Sequence, residues 1–188
     1  MTKKDELSIY NNAIPNYSRS EYPIYLYTKA SGALRDYLLF KKINEHYIED
    51  QLQSWVWCLH KSLTDISIRT QRMKLVRDNT VVYSGICIDN YALSEEFQKG
   101  RKLYFGKFLS TSIDRNVAET FACDNGFLFI ITIKNNERSN YCYKINQFSQ
   151  FKQEEEILIT AFALFQITNI VKRNNKYEIY LDCLGFGH

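Results

Sequence analysis

"GKFLSTSIDRNVAETFA", residues 106–122, runs an apolar Phe108-Leu109 pair into three consecutive hydroxyls, Ser110, Thr111 and Ser112, and then into a helical pattern. Ser and Thr are ordinary helix caps, because a side-chain oxygen accepts one of the N–H groups that a first turn leaves unpaired. A single cap needs only one hydroxyl. The stretch therefore reads as a strand end followed at once by a helix over about 114–123, with Ser112 or Asp114 as its cap.

From about residue 80 onward the chain is β-rich. Short runs of β-branched and aromatic residues occur at Thr80–Ile86, Phe127–Ile133, Glu156–Thr160, Leu164–Val171 and Tyr177–Leu184. Turn-forming groups such as Asn135-Asn136 and Asn174-Asn175 separate several of them. Upstream, residues 33–63 read as helical, with Leu52, Trp55, Val56, Leu59 and Leu63 falling on one face. Tyr22–Tyr27 is too short and mixed to assign. Strands without regular helical crossovers argue against a doubly wound parallel sheet. The expected fold class is α+β, a single domain over 1–188 with a helical part over 1–79 and a β-rich core over 80–188.

Composition narrows the function classes. The 188 residues are 45% apolar and 15% aromatic, enough for one well-formed core. A formal net charge of +3 is too small to mark a nucleic-acid partner, and no basic, aromatic-lined stretch stands out. No run of about 18 apolar residues occurs, so no membrane partner is expected. The five cysteines are odd in number and widely spaced, and no Cys/His cluster suggests a metal site. They read as mostly buried free thiols in a reducing compartment, which makes the expected location cytoplasmic. Export without a classical leader stays open.

A second stretch, "FSQFKQEEEILIT", residues 148–160, sets three carboxylates immediately before an apolar run. Such a triplet is ordinarily a solvated loop. In an extended chain, however, Glu154 and Glu156 would share a face while Glu155 points away. Two carboxylates together also suit chemistry at a glycosidic carbon, one stabilising an oxocarbenium-like transition state and the other handling a proton.

Taken in order, "VVYSGI" (81–86), "FGKFLSTS" with "AETF" (105–122) and "FSQFKQEEEILI" (148–159) resemble the arginine-serine-glutamate class of mono-ADP-ribosyltransferases. Residues 13–35, "AIPNYSRSEYPIYLYTKASGALR", more loosely resemble the helical N-terminal part of its eukaryotic-type members. The resemblance implies a split β-sheet core, NAD as substrate, no metal, and transfer of ADP-ribose to a protein arginine by a monomer. With water as acceptor it implies NAD glycohydrolase activity. It also implies roles. Glu156 matches the catalytic glutamate, Glu154 the carboxylate that goes with an arginine acceptor, and Ser110 the serine that orients the glutamate. Gly85, Thr111 and Ser112 fall in the cofactor site, Phe121 beside the nicotinamide or on the buried face of the helix, and Phe151 in the acceptor-recognition loop. Three hydroxyls at a strand end then have a purpose, since a ribose and a carboxylate must both be held there.

One position departs from the pattern. The family's arginine should stand between Tyr83 and Gly85, and this chain has Ser84. A hydroxyl cannot reproduce the charge-assisted grip of a guanidinium on a pyrophosphate. Arg72, Arg77, Arg101 and Lys102 are the candidate substitutes. A binding module that keeps the fold without catalysis is the alternative reading.

Overall fold

The run Phe127-Leu-Phe-Ile-Ile-Thr-Ile133 contains one polar residue and is buried almost throughout. A strand buried on both faces must lie at the centre of a covered sheet. In the computed structural model it is β4 (Phe127–Ile133), paired antiparallel to β1 (Val81–Ile86) and parallel to β8 (Lys176–Phe186). The structure describes residues 22–29, 56–66, 76–87, 97–105, 108–124, 126–134, 140–149, 152–173 and 175–186.

The remaining strands are β2 (Lys102–Tyr104), β3 (Leu109–Ser112), β5 (Cys142–Lys144), β6 (Glu156–Ile159) and β7 (Ala163–Arg173). They form a mixed eight-stranded sheet in the order β2-β7-β8-β4-β1-β3-β6-β5. The helices are α1 (Tyr22–Lys29), α2 (residues 56–66) and α3 (Arg115–Phe121). By its internal contacts the chain divides into two units, residues 1–74 with 145–152, and residues 75–144 with 153–188. The second unit holds the whole sheet and α3.

Period-two alternation assigns the two faces of β4. Phe127, Phe129, Ile131 and Ile133 enter a large core with Val82, Leu109, Ile157, Ile159, Phe165 and Leu181. Leu128 and Ile130 point the other way and pack with Ala118 of α3, flanked by Tyr83 and Tyr180. Each such side chain, fully buried, contributes roughly 1.5–3 kcal/mol. Phe105 stands edge-on to both Phe129 and Phe165, at centroid distances of 5.4 and 5.0 Å. This geometry suits the ring quadrupole.

The joint between β1 and β3 is thin. Only Tyr83↔Ser112 is in register across it, whereas β1 and β4 share six pairs. The sheet is thus continuous, but a single register pair joins its three-strand part, β3-β6-β5, to the five-strand part. The two otherwise meet through the shared core and a hydrogen bond from Tyr141 Oη to the Cys183 carbonyl at 2.7 Å. Gly85 lies beside this joint. A Cβ there would sit 2.0 Å from the Ala118 carbonyl oxygen and 2.7 Å from the Ala122 nitrogen, so only glycine lets α3 approach β1 this closely.

The three hydroxyls are the last residues of β3, as the strand-end reading has it. Several expectations need correction. β2 and β5, three residues each, carry no apolar run long enough to announce a strand. Residues 22–29 are helical although the stretch was unassignable. Of the expected helix over 33–63, residues 56–63 are described and helical, with Leu59 and Leu63 fully buried. Leu52 and Trp55 lie outside the described residues. The cysteines are not all free, since Cys87 and Cys123 form a disulfide. Cys142 and Cys183 are buried free thiols, and Cys58 is a partly buried one.

Candidate active site

The three hydroxyls of β3 have three different partners. β3 and β6 run antiparallel, with Ser110↔Leu158, Thr111↔Ile157 and Ser112↔Glu156 in register. Ser110 Oγ donates to Glu156 Oε1 at 2.7 Å. Thr111, buried, donates to the Ile157 carbonyl at 2.8 Å. Ser112 Oγ donates to the Glu154 carbonyl at 2.7 Å and accepts from the Asp114 N–H at 3.0 Å. The helix is capped by Asp114, whose Oδ1 accepts from the Asn116 N–H at 2.8 Å. One hydroxyl therefore addresses the carboxylate, one ties β6, and one fastens the acidic turn to the helix entrance.

Thr111 and Ser112 are each only 4% exposed, and their hydroxyls are spent on backbone carbonyls. They shape the site from behind rather than lining it. Ser110 is exposed and Glu156 is buried, which sets a carboxylate below a hydroxyl at the sheet surface. Buried carboxylates need such donors, because an unpaired charge is costly away from water.

Glu154 and Glu156 do not alternate along one strand. Glu154 closes a 3-10 turn (Lys152–Glu154), Glu155 takes a left-handed backbone with φ of 45°, and Glu156 opens β6. The two outer carboxylates reach their places through this turn, not through strand pleating. Partial burial holds the Glu154 carboxyl above the usual carboxylate range.

The other expected residues are placed as follows. Ser84 is 6% exposed and its Oγ donates to the Ser110 carbonyl at 2.9 Å. Gly85 is accounted for by the approach of α3. Phe121 is 56% exposed, so Ala118 and not Phe121 forms the buried face of the helix. Phe151 and Arg72 lie outside the described residues. Arg101 and Lys102 belong to the edge containing β2, four strands from β1, or about 19 Å at ordinary strand spacing. They cannot stand in for an arginine at position 84. Arg77 sits in the turn ahead of β1, where its carbonyl accepts from the Thr80 N–H.

Sequence reading missed a charged cluster on the α3 side of the sheet. Glu178 of β8 is buried, and its carboxylate accepts from Arg115 Nη2 at 2.5 Å and Tyr180 Oη at 3.0 Å, with Arg173 at 3.4 Å. Burial pushes the Glu178 carboxyl up, but Arg115, Tyr180 and Arg173 outweigh it and hold it below the usual range. The only local signal was the i,i+4 pair Arg115–Glu119. A cleft at this cluster includes none of the motif hydroxyls or Glu156. Among the described residues no group of three His, Cys, Asp or Glu side chains could hold a metal.

Comparison with known proteins bears on the family and the fold. The model of the family described as "NAD:arginine ADP-ribosyltransferase" matches residues 13–185. The chain is 35% identical over 88 residues to NAD(P)(+)--arginine ADP-ribosyltransferase 2 of Gallus gallus, covering 47% of this chain and 26% of that protein. It is 32% identical over 117 residues to T-cell ecto-ADP-ribosyltransferase 2 of Mus musculus, covering 60% and 37% respectively. The matched part is thus about a quarter to a third of these relatives' length. In fold, the chain resembles ADP-ribosyltransferase Vis in complex with agmatine, with a TM-score of 0.69, 16% identity and coverage of 98% and 86%. It also resembles Plx2a, an ADP-ribosyltransferase toxin from Paenibacillus larvae, with a TM-score of 0.65, 16% identity and coverage of 97% and 96%. With a family model spanning residues 13–185 and this fold around Ser110 and Glu156, the chain belongs to the NAD:arginine ADP-ribosyltransferase family.

Proposed function

We propose that this chain is an NAD-dependent mono-ADP-ribosyltransferase that transfers ADP-ribose to a protein arginine and releases nicotinamide, with NAD hydrolysis when water is the acceptor. The observation that carries the reading is the 2.7 Å hydrogen bond from Ser110 to Glu156 across adjoining strands. The ribose end of NAD fits there. A buried carboxylate that accepts from a neighbouring hydroxyl offers a fixed anion to a ribose hydroxyl and to positive charge developing at the anomeric carbon as the nicotinamide bond breaks. Preorganised charge of this kind is typically the largest single contribution to such a reaction. Glu154, partly exposed and held by its backbone to Ser112, is suited to an incoming guanidinium, which must lose a proton as it attacks.

The pyrophosphate end fits less well. Ser84, at the position of the family arginine, spends its hydroxyl on a backbone carbonyl, so phosphate binding falls to other groups. The Cys87–Cys123 disulfide supports an oxidising setting, the second of the two compartments that the sequence left open. Incubating the protein with NAD, with and without a small guanidine acceptor, tests the reading by nicotinamide release and formation of an ADP-ribosyl adduct. Release that rises with the guanidine and yields the adduct supports a transferase. A folded protein that releases no nicotinamide under either condition overturns it in favour of a binding module.

A further inference from the structure

Ser84 is conspicuous for what its hydroxyl does. β1 and β3 share a single register pair, Tyr83↔Ser112, so the three-strand part of the sheet has little backbone pairing to fix it against the rest. The Ser84 side chain adds a bond across that same joint, 2.9 Å to the carbonyl of Ser110. Ser110 is also the residue whose Oγ donates to Glu156. The two bonds meet at one residue, one on its backbone and one on its side chain. From this geometry, and resting on the reading of Glu156 as the catalytic carboxylate, we infer that Ser84 is a positioning residue that latches Ser110, and through it Glu156, across the thin joint of the sheet.

The role is distinct from holding a phosphate. Ser84 is 6% exposed and its donor is already engaged, so its effect passes through β3 to the carboxylate. A neutral, part-buried hydrogen bond is modest in size, and loosening it misdirects the Ser110 hydroxyl without dismantling the strand. Its loss therefore falls on the chemical step. A group that bound the substrate equally before and during reaction would instead alter KM.

The test compares Ser84→Ala, Ser84→Thr and Ser110→Ala in the full chain. The 13C carboxyl resonance of Glu156, assigned by its disappearance in Glu156→Gln, reports the Ser110–Glu156 bond directly and needs no turnover. Ser84→Ala is expected to move that resonance in the same direction as Ser110→Ala, while Ser84→Thr, which keeps the hydroxyl, holds it near the wild-type position. For NAD hydrolysis, Ser84→Ala is expected to lower kcat about 3- to 10-fold with the NAD KM within about twofold, and Ser84→Thr to recover most of the loss. An unmoved resonance in folded Ser84→Ala overturns the latch. So does a raised KM with unchanged kcat, which would put the hydroxyl on NAD itself. If the wild-type protein releases no nicotinamide, the transferase reading falls, and the resonance still decides the latch.

Discussion

Glu156 derives its proposed power from charge rather than shape, and Glu156→Gln keeps the shape. The amide still accepts from Ser110, so the fold is expected to survive, as far-UV circular dichroism would show. Nicotinamide release should fall about 100- to 1000-fold, the usual cost of one lost transition-state contact; wild-type rates in a folded variant would remove Glu156 from the chemistry. Glu154 offers a separate test. Its carboxyl is raised by burial above the ordinary 4.5, so on lowering the pH it gains its proton early, and on raising the pH it ionises late. Transfer to arginine relative to NAD hydrolysis should therefore climb with pH through that raised value, and Glu154→Gln should flatten the climb while sparing hydrolysis. Equal loss of both activities in Glu154→Gln would place the residue in the NAD site. At this scale the sequence nominated residues for the site and was silent about how they meet. Ser110 and Glu156 are 46 positions apart, and their pairing followed only from resemblance to a family. The turn at Glu155 had no signal at all, because glutamate is not a residue whose presence marks a left-handed backbone.

Elements were legible where one physical requirement dominated. β4 must be apolar because both faces are covered, and its limits were read correctly as Phe127–Ile133. α3 was legible from its start, with Ser112 or Asp114 as the candidate cap, of which the structure uses Asp114. β2 and β5 were not, because a three-residue strand is defined by its partners, β7 and β6, rather than by its own pattern. Gly85 belongs with these non-local cases. Its place in a cofactor motif says nothing of the backbone of α3, which passes so close that no side chain fits. Gly85→Ala must push α3 outward, since the atoms met are backbone. The expected cost is about 3 kcal/mol, near the upper end for overpacking, and a melting temperature lower by about 10 °C. Because α3 leads directly from Ser112, nicotinamide release should fall as well. A melting temperature unchanged in Gly85→Ala would show that the helix is free to shift.

For the whole molecule, the disulfide is the feature the sequence reading most clearly mistook. Cys87 follows β1 and Cys123 follows α3, 36 positions apart, and nothing local announces such a partner. The bridge closes a loop that contains β3, so it restricts the unfolded chain over the segment carrying the motif hydroxyls. By loop closure it is worth about 4 kcal/mol. Cys87→Ser with Cys123→Ser, or a reductant, is expected to lower the melting temperature by about 10 °C; an identical melting curve with and without reductant would show that the bridge contributes nothing to stability. The sheet's margins carry a different consequence. Its outermost strands, β2 and β5, each offer three residues of backbone to the outside. Long unpaired margins invite a neighbouring chain to add itself as another strand and to propagate, and very short ones are a common defence. Among the described residues the sheet ends abruptly at β2 and β5. The longer part of β7 that β2 leaves uncovered, residues 168–173, ends in the charged pair Lys172-Arg173, another common defence. Concentrated solutions of the folded protein should accordingly resist fibril growth, and seeding should begin only once the long β7–β8 hairpin has come away from the sheet.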